Sequence, residues 1–496
     1  MTIAAVPQRI LYKPRDGYFG DANPIYADGR FHIFYIFCAS DDDDQINGTW
    51  RGIDWAHVAT DDFTSFEEFP MALYRGRPEE RDPLAGAGCV VKRPDGRYVM
   101  FYGGINPSPP AGRPEQVVLR AFSDDLVTWE KDPEWELGTT PEHYLPDCFR
   151  DPFVWQDAAT GEWRMIFAGQ TPGGPEHRRG AVGYASSPDL ETWTFHAPLF
   201  NPGTTLTPEC PEYFELDGTH YLIWSSYSER FATRYRIADR FEGPWRAPDT
   251  DDAFDSNDIY AAKTVSDGNR RFYLGWLATR GMDKDSGHRQ WGGHLVTHEL
   301  KRRPDRSWAV LPVPEFLDQF DTKPVSPEPR RGGWTVTGTT ATFAGDGFGW
   351  CSLGPMADTC LIDVTIDLDY DAEEVGIGLR SDADFQKTLL IRLEPQRGRV
   401  LFDRRPHKIV IPFDPEGDRE YVSGADFEIE RPLLAEDGKV RIRVVADGSA
   451  IVAYINDVAL STRAYGNPAG EWGVYAAGAR TPVTFRDFGY GLSTRR

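Results

Sequence analysis

The sequence predicts an all-β chain: a five-bladed β-propeller followed by a C-terminal β-sandwich. Three observations predict it. An aromatic-rich apolar run behind a turn glycine recurs five times, and a second, shorter motif interleaves with it. After about residue 334, short β runs follow one another with no helical pattern between them.

The five runs are Gly29-Arg-Phe-His-Ile-Phe-Tyr-Ile-Phe37, Gly96-Arg-Tyr-Val-Met-Phe-Tyr-Gly-Gly104, Gly161-Glu-Trp-Arg-Met-Ile-Phe-Ala-Gly169, Gly218-Thr-His-Tyr-Leu-Ile-Trp-Ser-Ser226 and Gly268-Asn-Arg-Arg-Phe-Tyr-Leu-Gly-Trp276. Their glycines are 67, 65, 57 and 50 residues apart. Strand-turn-strand units at that spacing mark the blades of a propeller, each expected as a four-stranded antiparallel sheet. Blades closing in a ring bury both faces, so their strands are apolar at nearly every position rather than alternately. The second motif is Asp62-Phe63-Thr-Ser-Phe66, Asp125-Leu126-Val-Thr-Trp129 and Asp189-Leu190-Glu-Thr-Trp193, with Asp-to-Asp steps of 63 and 64.

The propeller is expected over 1–321. Thr322 to Gly333 holds three prolines and two glycines in twelve residues, which reads as a linker over 322–334. Over 335–496 come Leu361–Leu368, Val375–Leu379, Thr388–Leu393, Val440–Val445, Ile451–Ile455 and Glu471–Ala476, separated by turn pairs such as Asp437-Gly438 and Asp447-Gly448. That pattern suggests a sandwich. It reads first as a support, with carbohydrate binding as the alternative.

The 77 acidic side chains against 54 basic ones give a net charge of −23. General nucleic-acid binders and anionic-membrane binders need the opposite excess, so neither partner is expected. An acidic run, Asp41-Asp-Asp-Asp44, reads as a solvated loop. The start, Met1-Thr2-Ile3-Ala4-Ala5-Val6-Pro7, lacks the basic-then-apolar order of a secretion signal, and no stretch of 18 apolar residues occurs. Six cysteines at 38, 89, 148, 210, 351 and 360 show no CxxC pair and read as reduced thiols. A cytoplasmic location is expected. His294 and His298 sit in a strand-like segment where a four-residue spacing does not converge on one ion, so no metal and no cofactor are expected. Oligomeric state leaves no pattern to read.

A propeller does chemistry at its axis, where the innermost strands converge. Three carboxyls near such strands are the candidates: Asp21 in Phe19-Gly20-Asp21-Ala22-Asn23-Pro24, Asp151 in Arg150-Asp151-Pro152-Phe153, and Glu209 in Pro208-Glu209-Cys210-Pro211. Near-copies compete with them. Asp16 and Asp28 precede glycines and read as turn residues. Arg81-Asp82-Pro83 repeats the Arg-Asp-Pro triplet without an apolar strand behind it, and Glu212 resembles Glu209.

Taken in order, these segments resemble glycoside hydrolase family 32, the β-fructosidases such as invertase, levanase and inulinase. Gly20-Asp21-Ala22-Asn23-Pro24 is similar to the family's Asn-Asp-Pro-Asn-Gly block. Trp55-Ala56-His57-Val58 is similar to its Trp-Gly-His-Ala segment, Arg150-Asp151-Pro152 to its Arg-Asp-Pro motif, and Glu209-Cys210 to its Glu-Cys motif. Asp258-Ile259-Tyr260-Ala261-Ala262, Gly275-Trp276 and Trp291-Gly292-Gly293 resemble later segments. The resemblance covers nearly the whole chain and implies a propeller with a C-terminal sandwich. It implies Asp21 as nucleophile, Glu209 as acid/base and Asp151 as transition-state stabiliser, with Asn23, Trp55, Arg150 and Asp258 as substrate contacts. A retaining enzyme should hold Asp21 and Glu209 about 5–5.5 Å apart.

Four departures point away from ordinary sucrose specificity: Ala22, Pro24, Ile36 where many members carry Gln, and Leu84-Ala85-Gly86-Ala87 in place of Phe-Ser-Gly-Ser. The resemblance therefore implies cleavage of β-fructofuranosidic bonds in fructans or fructo-oligosaccharides, with fructosyl transfer on the same site as an alternative. Two further readings stay open: an inverting arabinan-type hydrolase on a similar propeller, and a non-catalytic sugar-binding propeller.

Overall fold

The computed structural model describes residues 10–40, 43–44, 49–50, 52–140, 142–285, 287–368, 370–404, 428–435 and 437–495. Asp41 and Asp42 of the acidic run, and the first nine residues, lie outside these. Two compact units interleave along the chain. One takes residues 1–253, 259–277 and 291–308; the other takes 254–258, 278–290 and 309–496.

The first unit is the propeller. The innermost strands of its five blades are Gly17–Ala27, Leu84–Lys92, Phe149–Gln156, Glu209–Leu216 and Ile259–Ser266. Each pairs antiparallel with the aromatic run that the repeat singled out. The five repeat glycines between them, 29, 96, 161, 218 and 268, all take φ between 71° and 94°, the left-handed region where a side chain is strained. The Asp motifs are the turns after the third strands. Asp62, Asp125 and Asp189 each accept two backbone N–H groups through Oδ1. The apolar residue behind each (Phe63, Leu126, Leu190) is buried at positive φ.

Blade 4 departs from the four-strand expectation. It has three strands, Glu209–Leu216, Thr219–Ser226 and Ala232–Ala238. Its fourth position is reduced to isolated bridges, Ile237 to Arg246 and Arg234 to Ala253. The returning segment carries Pro244 and Pro248, and proline cannot donate to a ladder.

Hydrogen bonds or strand pairing join each blade to the next. Trp55 Nε1 donates to Gly86 O (2.9 Å), and Val154 N donates to Cys89 Sγ (3.1 Å). Cys210 N donates to Asp151 Oδ2 (3.0 Å), and Thr264 N to Glu212 Oε2 (2.6 Å). Phe19 pairs with Gly293 to close the ring.

The second unit is a sandwich. Its last strand, Glu471–Ser493, pairs with Glu374–Ser381 through its first half and with Thr359–Asp367 through its second, passing from one sheet to the other. Inward residues such as Ile362, Val364, Ile377, Ile391, Val444 and Phe485 make an apolar core. The linker expected over 322–334 is corrected here. Phe320–Pro324 pairs with the last strand, and Glu328–Arg331 and Trp334–Thr337 pair with Thr340–Pro355. Pro324, Pro327 and Pro329 are tolerated because they fall at strand ends or in short outer strands. All six cysteines are buried and free.

Candidate active site

All five innermost strands carry the same irregularity. Their register with the second strand slips between Phe19 and Ala22, Ala85 and Gly88, Arg150 and Phe153, Glu209 and Glu212, and Tyr260 and Lys263. A β-bulge bends its strand and re-aims a side chain. Repeated in every blade, it leaves each strand two residues out of the ladder at the corresponding place. Asp21 and Asp151 occupy such positions, and Glu209 stands immediately before one. Asp151 (φ 56°), Cys210 (φ 48°) and Ala261 (φ 46°) are left-handed. That strain at non-glycine residues is held by the surrounding ladders. Pro152 and Pro211 fill the second bulge position, where no ladder N–H is needed. Gly20 precedes Asp21 because a Cβ there would lie 2.1 Å from the Trp291 ring.

The three carboxyls are held differently. Trp276 Nε1 donates to Asp21 Oδ1 (2.8 Å), and Asp21 Oδ2 accepts no hydrogen bond among the described residues. Burial pushes the Asp21 carboxyl up to about 7. The neighbouring Asp151 and Glu209 charges push the same way, against the Trp276 bond and Lys263. Both oxygens of Glu209 are engaged: Arg150 Nη2 donates to Oε1 (2.6 Å) and Tyr260 OH to Oε2 (2.7 Å). Asp151 Oδ2 accepts the Cys210 N–H and lies 3.8 Å from Arg150 Nε. Burial outweighs all else at the Cys210 thiol and drives it far up, so it is no nucleophile.

Of the four residues expected to touch substrate, Trp55, Asn23 and Asp258 are buried and bonded to other groups, and Arg150 is part-exposed and paired with Glu209. Trp55 is 0% exposed and has no face for a sugar; its indole pins the blade 2 bulge through Gly86. Asn23 is 1% exposed. Its amide donates to the Asp21 carbonyl (3.0 Å), and its Oδ1 accepts from Gly88 N (3.1 Å) and Lys263 Nζ (2.8 Å), so it fixes the nucleophile candidate's backbone. Arg150 holds Glu209. Asp258 belongs to the second unit, 1% exposed. Its Oδ1 accepts from Arg280 (3.1 Å) and Arg289 (2.8 Å), its Oδ2 from Arg404 (3.2 Å) and Thr462 (2.6 Å). With both oxygens committed, it is an anchor and not a sugar contact.

The near-copies are also structural. Glu212 is buried against Thr264, and Asp82 takes Tyr102 OH (2.9 Å) and Lys131 Nζ (2.6 Å). Sequence reasoning missed Lys263, whose Nζ also donates to Gly88 O. It left Trp276 and Tyr260 without roles. It also missed Phe231, stacked on Tyr260 at 4.2 Å, and Tyr227, half-exposed and near Glu209 and Arg150. For Phe231 and Tyr227 the signal lay in the aromatic excess.

Comparison with known proteins decides the family. The model of the glycosyl hydrolases family 32 N-terminal domain matches residues 12–301, and the family's C-terminal model matches 331–488. The chain belongs to glycosyl hydrolase family 32. As a family-32 protein it is a glycoside hydrolase acting on β-fructofuranosides. A sucrose-6-phosphate hydrolase of Zymomonas mobilis is 24% identical over 478 residues, covering 90% of this chain and 83% of the relative. One from Bacillus subtilis is 27% identical over 299 residues, covering 56% and 58%. Among solved structures, exo-inulinase from Aspergillus awamori superposes with a TM-score of 0.75 at 17% identity, covering 98% of both chains. Fructan 1-exohydrolase IIa from Cichorium intybus gives 0.74 at 17% identity, covering 98% and 97%. At these identities the structural likeness is one of fold.

Proposed function

We propose that this family-32 chain cleaves β-fructofuranosidic bonds in fructans or fructo-oligosaccharides by double displacement with net retention. The observation that carries the reading is the convergence of three bulge-level carboxyls, with Asp21 feeling the charge of both others. In the first step the Glu209 carboxyl gives its proton to the glycosidic oxygen. The free Asp21 Oδ2 attacks the anomeric carbon, the bond to the leaving oxygen breaks, and a fructosyl ester forms on Asp21. Asp151 accepts hydrogen bonds from ring hydroxyls that tighten as positive charge develops. In the second step Glu209 takes a proton from water, water oxygen attacks the anomeric carbon, and Asp21 leaves as carboxylate. Each residue ends as it began.

The proton inventory suits this cycle. Coupled carboxyls share protons as a set. One proton resting on Asp21 in the empty site must sit on Glu209 in the reactive arrangement, leaving Asp21 ionised. Phe231 and Trp291, both part-exposed beside the Tyr260–Trp276 wall, offer ring faces to a sugar.

The test is product analysis on sucrose, inulin, levan and arabinan side by side, with NMR detection of the first-formed anomer. The reading expects fructose from inulin or levan, first released as the β-anomer. Arabinose release, an inverted first product, or turnover of sucrose alone would each reject it. Fructo-oligosaccharides longer than the substrate would identify transfer on the same site.

A further inference from the structure

We propose that the sandwich unit carries a second, non-catalytic carbohydrate-binding site, built for an uncharged sugar chain. A cavity of about 450 Å³ opens on this unit, lined by Arg330, Arg331, Trp350, Asp384, Phe385 and Gln386. It lies wholly within residues 309–496, the second unit, and shares no residue with the carboxylate site.

Its floor is aromatic. The Phe385 ring is part-exposed and packs on Trp350 (4.7 Å), Phe348 (4.9 Å) and Tyr475 (5.5 Å). A ring backed by three others is a rigid platform for the C–H face of a sugar. Phe385 takes φ 60°, a strained conformation for a bulky residue. The turn is locked to hold it there. Asp382 Oδ1 accepts Gln386 N (2.6 Å) and Lys387 N (3.2 Å), Phe385 N donates to Asp382 O (3.1 Å), and Asp382 N donates to Lys387 O (3.1 Å). A preformed site avoids ordering its loop when the ligand arrives.

Its rim is polar and unengaged. Among the described residues, the Arg331 guanidinium and the Asp384 carboxylate have no partner, and the Gln386 amide oxygen accepts nothing. The Trp350 indole N–H is buried without an acceptor. Guanidinium, carboxylate and carboxamide each present two polar atoms in a plane, the spacing that adjacent hydroxyls of a sugar match. The charge balance excludes an anionic ligand. Arg330 is held by Glu328 (2.9 Å) and Glu471 (3.5 Å), so among the described residues lining the cavity Arg331 is the available cation and Asp384 opposes it. An aromatic floor under donors and acceptors whose charges offset each other fits a polyhydroxyl chain. Linked to a catalytic unit, such a site raises the local concentration of a polymer without touching the cleaved bond.

The test uses the full chain and reads binding without turnover. The choice of fructan as probe rests on the function proposed above. Asp21→Ala protein, unable to digest the probe, is run on native gels containing inulin or levan. Arg331→Ala and Phe385→Ala are added to it singly. Arg331→Ala removes an exposed side chain with no partner, so it tests the site even where Phe385→Ala does not fold. The proposal expects retardation by at least one of the two polymers, reduced at least twofold by either substitution. In the active protein, the same substitutions should leave kcat/KM on sucrose or a trisaccharide unchanged and raise KM for the polymer severalfold. Absence of retardation in the parent, or equal retardation in the parent and Arg331→Ala, overturns it. Failure of the active protein to release fructose at all is a different result: it rejects the catalytic reading and leaves the gel readout intact.

Discussion

Two buried aspartates of this chain show what burial alone does not decide. Asp21 in the propeller is pushed up to about 7 by loss of water, then by Asp151 and Glu209, with one indole N–H acting against them. Asp258 in the second unit also loses its water, yet Arg404, Arg280, Arg289 and Thr462 outweigh that and hold its carboxyl far below the usual range. Both lost solvent; one was given counter-charges and the other was given more carboxyls. A fully neutralised carboxylate is a fastener. A carboxyl left among its own kind keeps its reactivity, and the fold bears the cost.

That comparison can be broken or sharpened by measurement. A large effect should come from Glu209→Ala, which removes the proposed proton donor. Fructose release from inulin should fall about 10²–10⁴-fold. The loss should be much smaller on a fructoside whose leaving group needs no proton, and equal losses on both would remove Glu209 from that role.

Asp258→Asn comes next and acts on stability. It leaves two buried guanidiniums and the part-buried Arg289 without this carboxylate, which costs about 3–5 kcal/mol and should appear as a lower Tm. Because the folded value is depressed, the Asp258 contribution is present above the unfolded range near ~4 and lost only as pH falls further. The loss in the variant should therefore be constant from pH 5 to 8. An unchanged Tm would mean that the arginine ring holds without its centre.

Asp21→Asn should do the reverse. The folded value is raised, so the wild-type protein has the stability tied to this group below about 4 and loses it as pH rises through about 7. The variant should melt higher than the parent at pH 8, and the gap should close toward pH 4. A variant that melts lower at pH 8 would show that the carboxylate is compensated after all.

The smallest effect is a shift in a profile. The reactive arrangement needs the one proton that rests on Asp21 in the empty site, so kcat/KM should fall as pH rises above about 7, where that proton is lost. Trp276→Phe removes the N–H that favours the ionised form, so this alkaline limb should move up by as much as about one pH unit. A limb that stays in place belongs to another group.

The sequence made the propeller legible because blade burial leaves a local mark, a glycine turn and then an apolar run, five times over. It also exposed the three carboxyls, since Gly20, Pro152 and Pro211 are local traces of the bulges that re-aim the chain. It placed Asp258 among the substrate contacts and left its arginine partners unread. The groups that neutralise Asp258 stand 22, 31 and 146 residues away, and no spacing rule joins Arg404 to it. Trp55 misled in the same manner, because an aromatic that stacks on sugar and one that seals a blade look alike in a string of letters. The proline-rich stretch at 322–334 read as a linker, although short outer strands admit proline as readily as loops do.

The central claim is that Asp21 is the nucleophile, and Asp21→Ala tests it most directly. The measurement is the initial rate of fructose release from inulin at pH 8, on protein whose melting shows it folded. The account predicts a fall of at least about 10⁴-fold with Tm no lower than the parent's. A folded Asp21→Ala protein that releases fructose at the parent's rate would contradict it.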